Sequence, residues 1–276
     1  MTTTDDQQPR PTSWNNADAY EYYVGRWSRV VALEFLGWLN MRPGARWLDV
    51  GCGTGALSEV ILQRARPSAV LGVDPSEQFV AFARERVVDS RASFRVGDAR
   101  DLPVPDGAFD AAVAGLVLQH VPEPDQVKAV TEMRRAGQAG GVVAAYLWDY
   151  AGEMKFMRHF WDAAVALDPA ARDFDQGALY LICKPGPLEA LFHSAGIEEV
   201  EVRAIDVPTV FRDFDDLWSP FLGGTGPAPG YVASLSEERR ATLRERIRAD
   251  LPIAADGSIP LIARAWAVRG TVPPAG

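Results

Sequence analysis

The sequence predicts an α/β fold built on a doubly wound, mostly parallel sheet. Between Gly44 and Tyr150, short apolar segments alternate with segments of helical period, and a glycine cluster follows the first apolar segment. Asp49, Asp74 and Asp98 lie at or near the ends of three successive apolar segments. Strands that alternate with helices form a parallel sheet with right-handed crossovers and helices on both faces, and such sheets bind ligands at the carboxyl ends of their strands.

Five strands and the helices between them follow from hydrophobic spacing. The predicted strands are 46–50, 69–73, 93–96, 109–118 and 141–148. The segment 109–118 is almost wholly apolar, which is typical of a strand buried on both faces. Apolar residues at helical spacing predict helices after the first, second and fourth strands: Leu57, Val60 and Ile61; Phe79, Val80, Ala83 and Val87; and Val127, Val130 and Met133.

The alternation weakens on both sides of this core. After Tyr150 we predict a helix over 187–195, a strand over 200–210 and a final strand over 259–268, separated by two insertions. The second insertion contains a helix that starts near Ser236, where two glutamates favour a helix amino terminus. Before the core, Ser28 is the predicted N-cap of a helix.

Charge and composition exclude several classes of protein. Asp and Glu total 37 against 28 Lys and Arg, and the net charge of -9 has the wrong sign for binding nucleic acid. Two cysteines and three histidines show neither a disulfide framework nor the spacing of metal ligands, so we expect no metal and a reducing cytoplasm. Without an amino-terminal apolar segment or an apolar run of ~20 residues, we expect no signal peptide and no membrane span.

The glycine cluster carries the main functional motif. Its glycines are Gly51, Gly53 and Gly55, and with Ala56 they satisfy the dinucleotide pattern G-x-G-x-x-G/A. The run from Leu48 to Gly55 also resembles the cofactor-binding loop of class I S-adenosylmethionine-dependent methyltransferases. Asp49, two residues before the first glycine, favours the second interpretation, because a carboxylate suits a ligand that carries an ammonium and a sulfonium group.

This resemblance implies a seven-stranded Rossmann-like fold with S-adenosylmethionine as cofactor. The segments 101–110 and 118–122 resemble the subgroup that methylates small molecules, including quinone-biosynthesis and natural-product enzymes. The resemblance implies four sets of protein residues in contact with the cofactor. They are the glycine loop with Asp49, an acidic strand end that binds the ribose hydroxyls, a pair of residues that contacts the adenine, and the segment after the fourth strand. The corresponding residues are Gly51, Gly53 and Gly55; Asp74 and Pro75; Asp98 and Ala99; and Gly115 and Leu116.

Two further assignments each have a structural alternative. His120 is the candidate general base, because its ordinary pKa lies near neutral pH, although a histidine here also suits simple packing. Related methyltransferases use an amino-terminal segment as a lid, so Tyr22 and Arg26 are candidates to cover the cofactor, with Arg26 paired to its carboxylate. Packing of an amino-terminal helix explains the same aromatic residues.

The resemblance also divides residues 1–276, as one methyltransferase domain, into an amino-terminal lid and helix, a cofactor-binding core and two substrate-side insertions. These parts are 1–43, 44–150, 151–186 and 212–257. Both insertions are expected over the carboxyl edge of the sheet. Their aromatic residues suit either an apolar substrate cavity or a small satellite core: Phe156, Phe160, Trp161, Trp218, Phe221 and Tyr231. The segment 223–230 is predicted to be a lid or an ordinary surface loop.

The predicted function is transfer of a methyl group to oxygen, nitrogen or carbon of a small organic molecule, in the cytoplasm. Two alternatives remain at this point: an NAD-dependent oxidoreductase, and a non-catalytic cofactor-binding protein on the same fold. Substrate identity and oligomeric state are left open by the sequence.

Overall fold

A seven-stranded mixed sheet organises the chain. The computed structural model describes residues 26–223 and 226–274. In space the strands lie in the order β3-β2-β1-β4-β5-β7-β6, which confirms the predicted fold class. In chain order the strands are β1 (Arg46–Val50), β2 (Ala69–Asp74), β3 (Ala92–Val96), β4 (Phe109–Gly115), β5 (Gly137–Trp148), β6 (Glu198–Phe211) and β7 (Ile259–Thr271).

Helices connect the strands and cover the sheet. Short 3-10 turns also occur, and two of them, Leu118–His120 and Glu123–Asp125, follow β4. The α-helices of the described residues are α1 (Arg26–Leu39), α2 (Ala56–Arg64), α3 (Glu77–Arg86), α4 (Gln126–Ala136), α5 (Lys155–Leu167), α6 (Gln176–Leu179), α7 (Pro185–Ser194), α8 (Phe214–Trp218), α9 (Pro227–Ser234) and α10 (Glu237–Asp250). Within these described ranges, no helix combines the length and apolar character needed to span a membrane.

The strand order creates a cleft beside β1. The chain builds β1, β2 and β3 outward in one direction and then returns to place β4 on the other side of β1. The five strands β1 to β5 pair with one another in parallel, whereas β7 is antiparallel to both β5 and β6. Ligands of open α/β sheets bind where the strand order reverses, at the carboxyl ends of the strands.

The structure corrects three local predictions. The strand predicted over 109–118 ends at Gly115, because Leu116 adopts a left-handed backbone conformation with φ of 61°. Ser28 is not an N-cap: it lies buried inside α1. The segment 223–230 is not one loop, because its described residues from Pro227 onward form helix α9. The cap at Ser236 is confirmed, since its Oγ accepts a hydrogen bond of 3.3 Å from the backbone N–H of Arg239.

Aromatic side chains from the two insertions pack against one another. Phe160 stacks on Phe221 at 4.5 Å between ring centroids, and Trp161 lies 5.8 Å from Tyr231. All six aromatic residues that the sequence singled out in the insertions are buried. Their rings fill space between helices and belong to the same buried hydrophobic cluster as the residues of the sheet, and none of them lines the cavity described next.

Candidate cofactor site

A cavity of about 290 Å³ lies at the carboxyl ends of β1, β2 and β4, where the strand order reverses. Asp49 and the glycine turn form one wall, Asp74 with the start of α3 forms another, and the end of β4 forms a third. The parallel strands bring together residues that are far apart in sequence. Of the predicted cofactor residues, the lining includes Asp49, Gly51, Gly53, Asp74, Pro75, Gly115 and Leu116.

The glycine turn is shaped by three left-handed residues. The φ angles of Gly51, Gly53 and Gly55 are 71°, 51° and 84°, a region that residues with a Cβ adopt only under strain. A Cβ at Gly51 would collide with the side chain of Val117, whereas a Cβ at Gly53 would meet no atom within 4 Å. Gly53 therefore leaves an open surface of backbone beside the cavity, against which a ligand can lie closely.

Asp49 is a buried carboxyl group with an unsatisfied oxygen. Its Oδ2 accepts a hydrogen bond of 2.7 Å from the hydroxyl of Ser58, while its Oδ1 has no hydrogen-bond partner among the described residues. Burial raises the pKa of Asp49 to about 7, and the nearby charge of Asp74 adds to the increase. A cationic group bound here would favour the ionised carboxylate and complete its interactions.

Asp74 holds the walls of the cavity in place. Its Oδ2 accepts from the backbone N–H of Gly53 at 3.0 Å, and its Oδ1 accepts from the backbone N–H of Ser76 at 2.9 Å. Burial raises the pKa of Asp74 above its ordinary value. Each carboxylate oxygen accepts up to two hydrogen bonds, so Asp74 retains acceptor capacity for a ligand hydroxyl.

The segment after β4 is held in a strained conformation beside the cavity. Leu116, with φ of 61°, donates its N–H to the carbonyl of Tyr146 at 2.8 Å. Its own carbonyl accepts from Nε2 of Gln119 at 2.9 Å. Non-glycine residues in this backbone region occur preferentially at ligand sites, where neighbouring contacts enforce the geometry.

Asp98 and Ala99 do not belong to the cavity lining. The Asp98 carboxylate accepts from the guanidinium of Arg100, with a shortest distance of 2.6 Å, and this pairing lowers the pKa of Asp98 to about 2. Arg100 also contacts Asp125 at 2.8 Å. The structure thus gives Asp98 an arginine partner, and its adenine contact stays a prediction.

Arg26 has a partner within the protein, and its predicted pairing with the cofactor carboxylate stays a prediction. Its Nη1 donates to Asp216 of the second insertion at 3.0 Å, and its guanidinium lies over the rings of Trp27 and Phe211 at 4.6 and 4.8 Å. Arg26 does not line the cavity, because these contacts hold it against the insertion and β6. Tyr22 lies outside the described residues.

His120 lines the cavity with a neutral ring. Its Nε2 lies 3.2 Å from Nε2 of Gln119. Because an amide nitrogen can only donate, His120 Nε2 accepts this hydrogen bond, and Nδ1 of the neutral ring carries the proton in this arrangement. Surrounding protein atoms lower the pKa of His120 to about 4. The ring retains exposed surface, because it faces open cavity space.

Several contributors to the site were not predicted as site residues, and three of them show why. Ser28 and Tyr146 line the cavity, and Ser58 holds Asp49. Ser58 carries a recognisable signal, because it is a small polar residue in the first turn of the helix that follows the glycine loop. Ser28 and Tyr146 come from elements distant in sequence, and only the packing of α1 and β5 brings them here.

Residues 48–145, which run from within β1 to within β5, match the family model for a methyltransferase domain. Over these residues the chain is similar to methyltransferase domains. This similarity agrees with the seven-stranded sheet and with the position of the glycine turn.

Known relatives of this chain carry different substrate names. The chain is 28% identical over 178 residues to a demethylmenaquinone methyltransferase of Staphylococcus carnosus, and the match covers 60% of this chain and 73% of that protein. It is 37% identical over 128 residues to a phosphatidylethanolamine N-methyltransferase of Cereibacter sphaeroides, covering 45% and 60%. The first four curated relatives are matched over 33% to 73% of their own lengths.

A solved structure supports the fold of the methyltransferase domain. Haemonchus contortus phosphoethanolamine N-methyltransferase 2, in complex with phosphomonomethylethanolamine and S-adenosylhomocysteine, matches with a TM-score of 0.56. The two proteins are 20% identical, and the match covers 94% of this chain and 57% of that one. At this identity the likeness concerns the fold.

Proposed function

We propose that this chain binds S-adenosylmethionine and moves its methyl group to oxygen, nitrogen or carbon of a small organic molecule. The observation that carries the proposal is Asp49: a buried carboxyl group with one unsatisfied oxygen beside an open glycine turn. A pyrophosphate would place negative charge against this carboxylate, whereas the ammonium group of S-adenosylmethionine would neutralise it.

In the proposed complex, Asp49 binds the ammonium group, and Asp74 accepts hydrogen bonds from the ribose hydroxyls. Gly51 and Gly53 allow the cofactor to lie against the backbone, with Gly115 and Leu116 along its other side. Pro75, together with Asp98 and Ala99, stays assigned to the nucleoside end. For this, Asp98 would have to share its carboxylate between the adenine and Arg100.

When bound, S-adenosylmethionine supplies a methyl group on a positively charged sulfur, from which a nucleophile displaces it while the electron pair of the broken bond stays on sulfur. The protein therefore contributes mainly alignment and exclusion of water. His120 is neutral near pH 7, which is the form able to accept a substrate proton. Because its pKa is lowered to about 4 and Nε2 already faces Gln119, proton removal would be a modest contribution.

Small-molecule substrates are supported by the names of the relatives and by charge. The net charge of -9 disfavours nucleic acid as a partner. Cys52 and Cys183 are both buried and free, which is compatible with the proposed cytoplasmic location.

A thermal-shift comparison tests the cofactor. We expect S-adenosylhomocysteine to stabilise the protein by about 2.7 kcal/mol at ~100 times its Kd, while NAD, NADP and ATP leave the melting temperature unchanged. Stabilisation by NAD alone would favour the oxidoreductase alternative instead. Stabilisation by S-adenosylhomocysteine without methyl transfer to any member of a broad panel of alcohols, phenols, amines and carbon acids would favour a non-catalytic binding protein.

A further inference from the structure

A second cavity, of about 510 Å³, adjoins the cofactor cavity. We call it the outer cavity; residues of two segments, 119–127 and 179–191, form its walls. The first segment follows β4, and the second begins in the first insertion and continues into α7. The outer cavity therefore joins the cofactor-binding core to a part of the chain that lies outside the matched methyltransferase domain.

His120 is common to the linings of both cavities. Its ring lies edge-on to Tyr180 of the first insertion, with 5.8 Å between ring centroids. Tyr180 in turn lies 5.5 Å from Tyr150, just after β5. A molecule in the outer cavity and one in the cofactor cavity would therefore both contact His120.

The walls of the outer cavity are mainly apolar. Val127, Leu179 and Leu181 are 39%, 53% and 54% exposed, and all three line it. Large apolar side chains that are exposed around one concavity mark a binding surface more often than isolated ones do. An apolar ligand would remove these side chains from water.

The polar groups of the outer cavity define the ligand further. Glu123 is the one charged residue among its described lining residues, and it is exposed. Gln119 is 7% exposed, and its Oε1 has no hydrogen-bond partner among the described residues, although its Nε2 is engaged by Leu116. An unsatisfied buried acceptor is stabilised by an N–H or O–H donor, whereas an apolar cavity without a countercharge penalises an anion.

We infer that the outer cavity binds the methyl acceptor, and that this acceptor is an uncharged, largely apolar molecule with a hydroxyl or N–H group that donates to Oε1 of Gln119, beside His120. This inference rests on the proposed function, because an acceptor must lie next to the cofactor. It also assigns specificity to Leu179, Tyr180 and Leu181, which lie at the end of α6 and directly after it, outside the cofactor-binding core.

Equilibrium dialysis with 2-naphthol as the uncharged probe tests this site, using protein saturated with S-adenosylhomocysteine. We expect 2-naphthol to bind at least about tenfold more tightly than naphthalene-2-carboxylate, because the cavity offers no cation to the carboxylate. Leu181→Arg should weaken 2-naphthol binding at least about tenfold, since it places a charge in the apolar wall. Leu179→Arg should act in the same way.

Leu222→Arg is the matched control. Leu222 is also 54% exposed but lies on the second insertion and does not line the outer cavity. It should leave binding unchanged, with all variants checked for an unaltered melting temperature. Equal binding by Leu181→Arg and Leu222→Arg, or no binding by the unaltered protein, would overturn the inference. Dialysis is repeated without S-adenosylhomocysteine, because the outer cavity is formed by protein residues alone. A protein that binds 2-naphthol but not S-adenosylhomocysteine would contradict the proposed function and not the presence of a binding site in the outer cavity.

Discussion

Asp49 shows how one residue links burial to ligand chemistry. Its carboxyl group is 1% exposed, and burial raises its pKa to about 7. A carboxyl group whose pKa is raised by folding stabilises the fold most when it is protonated. That contribution is lost as the pH rises from the ordinary value of 3.8 through about 7. The free protein therefore carries an electrostatic cost at neutral pH that a bound cation would relieve.

The electrostatic cost of ionising the buried Asp49 carboxyl group predicts that protons are released when the cofactor binds. At about pH 6 most Asp49 side chains in the free protein are protonated, and an ammonium group bound beside them would favour ionisation. We expect binding of S-adenosylhomocysteine to release close to one proton at about pH 6 and almost none at about pH 8.5. Calorimetry in buffers of different ionisation enthalpy measures this number.

Asp49→Asn is the control for that measurement, because it preserves the size of the side chain and removes its titration. Release that persists in Asp49→Asn would assign the proton to another group, such as Asp74. Binding without any proton release at about pH 6 would contradict an ammonium contact at Asp49.

At the scale of an element, the turn between β1 and α2 combines two kinds of glycine. Gly51 is enclosed, because a Cβ there would collide with Val117 after β4, whereas Gly53 faces open space. The turn is fastened to β2 by the carbonyl of Val73, which accepts from Gly51 N–H at 2.7 Å, and by Asp74. Close packing thus shapes one end of the turn and leaves the other open.

Gly53→Ala is predicted to weaken cofactor binding without unfolding the protein. The left-handed φ of 51° costs an alanine about 1–2 kcal/mol, and the new methyl group would project where the cofactor is proposed to approach. We expect at least a tenfold loss of S-adenosylhomocysteine affinity by calorimetry, together with that modest loss of stability.

Gly44→Ala separates backbone strain from contact with the cofactor. Gly44 has φ of 83° and open space around it, but it precedes β1 and does not line the cofactor cavity. It should lose similar stability and retain affinity. If both variants bind equally well, Gly53 does not contact the ligand.

At the scale of the whole molecule, the two insertions share one aromatic core although they are far apart in sequence. Phe160 of the first insertion stacks on Phe221 of the second, and Phe156 packs against Phe211 at the end of β6. Arg26 at the start of α1 joins this assembly through Asp216. The insertions are thereby joined to each other, to β6 and to α1.

Phe160→Ala is predicted to lower the free energy of unfolding by about 3–5 kcal/mol, because it leaves a cavity among buried rings. Affinity for S-adenosylhomocysteine should persist, since Phe160 does not line the cofactor cavity. Phe174→Ala is the matched control: Phe174 also contacts Tyr231 but is 40% exposed, so its loss should cost much less. Chemical denaturation measures both, and similar losses would contradict a shared core.

Most of the sheet was predictable because its signals are local. The buried strands β1, β2 and β5 appear as apolar segments, and the glycine turn lies directly after β1 in the sequence. The end of β4 was not predictable, since Leu116 is apolar like its predecessors. Its left-handed conformation depends on the carbonyl of Tyr146, which is thirty residues away.

The sequence by itself determined the α/β class, the glycine turn and the aspartates near the strand ends, because hydrophobic periodicity and short motifs act between neighbouring residues. Tertiary structure alone decided which charged side chains stay open to a ligand. Asp49 keeps an unsatisfied oxygen because burial excludes other partners, whereas Asp98 and Arg26 are paired with Arg100 and Asp216. Tertiary packing also placed the outer cavity beside His120, because α6 and the start of α7 fold back onto the segment after β4.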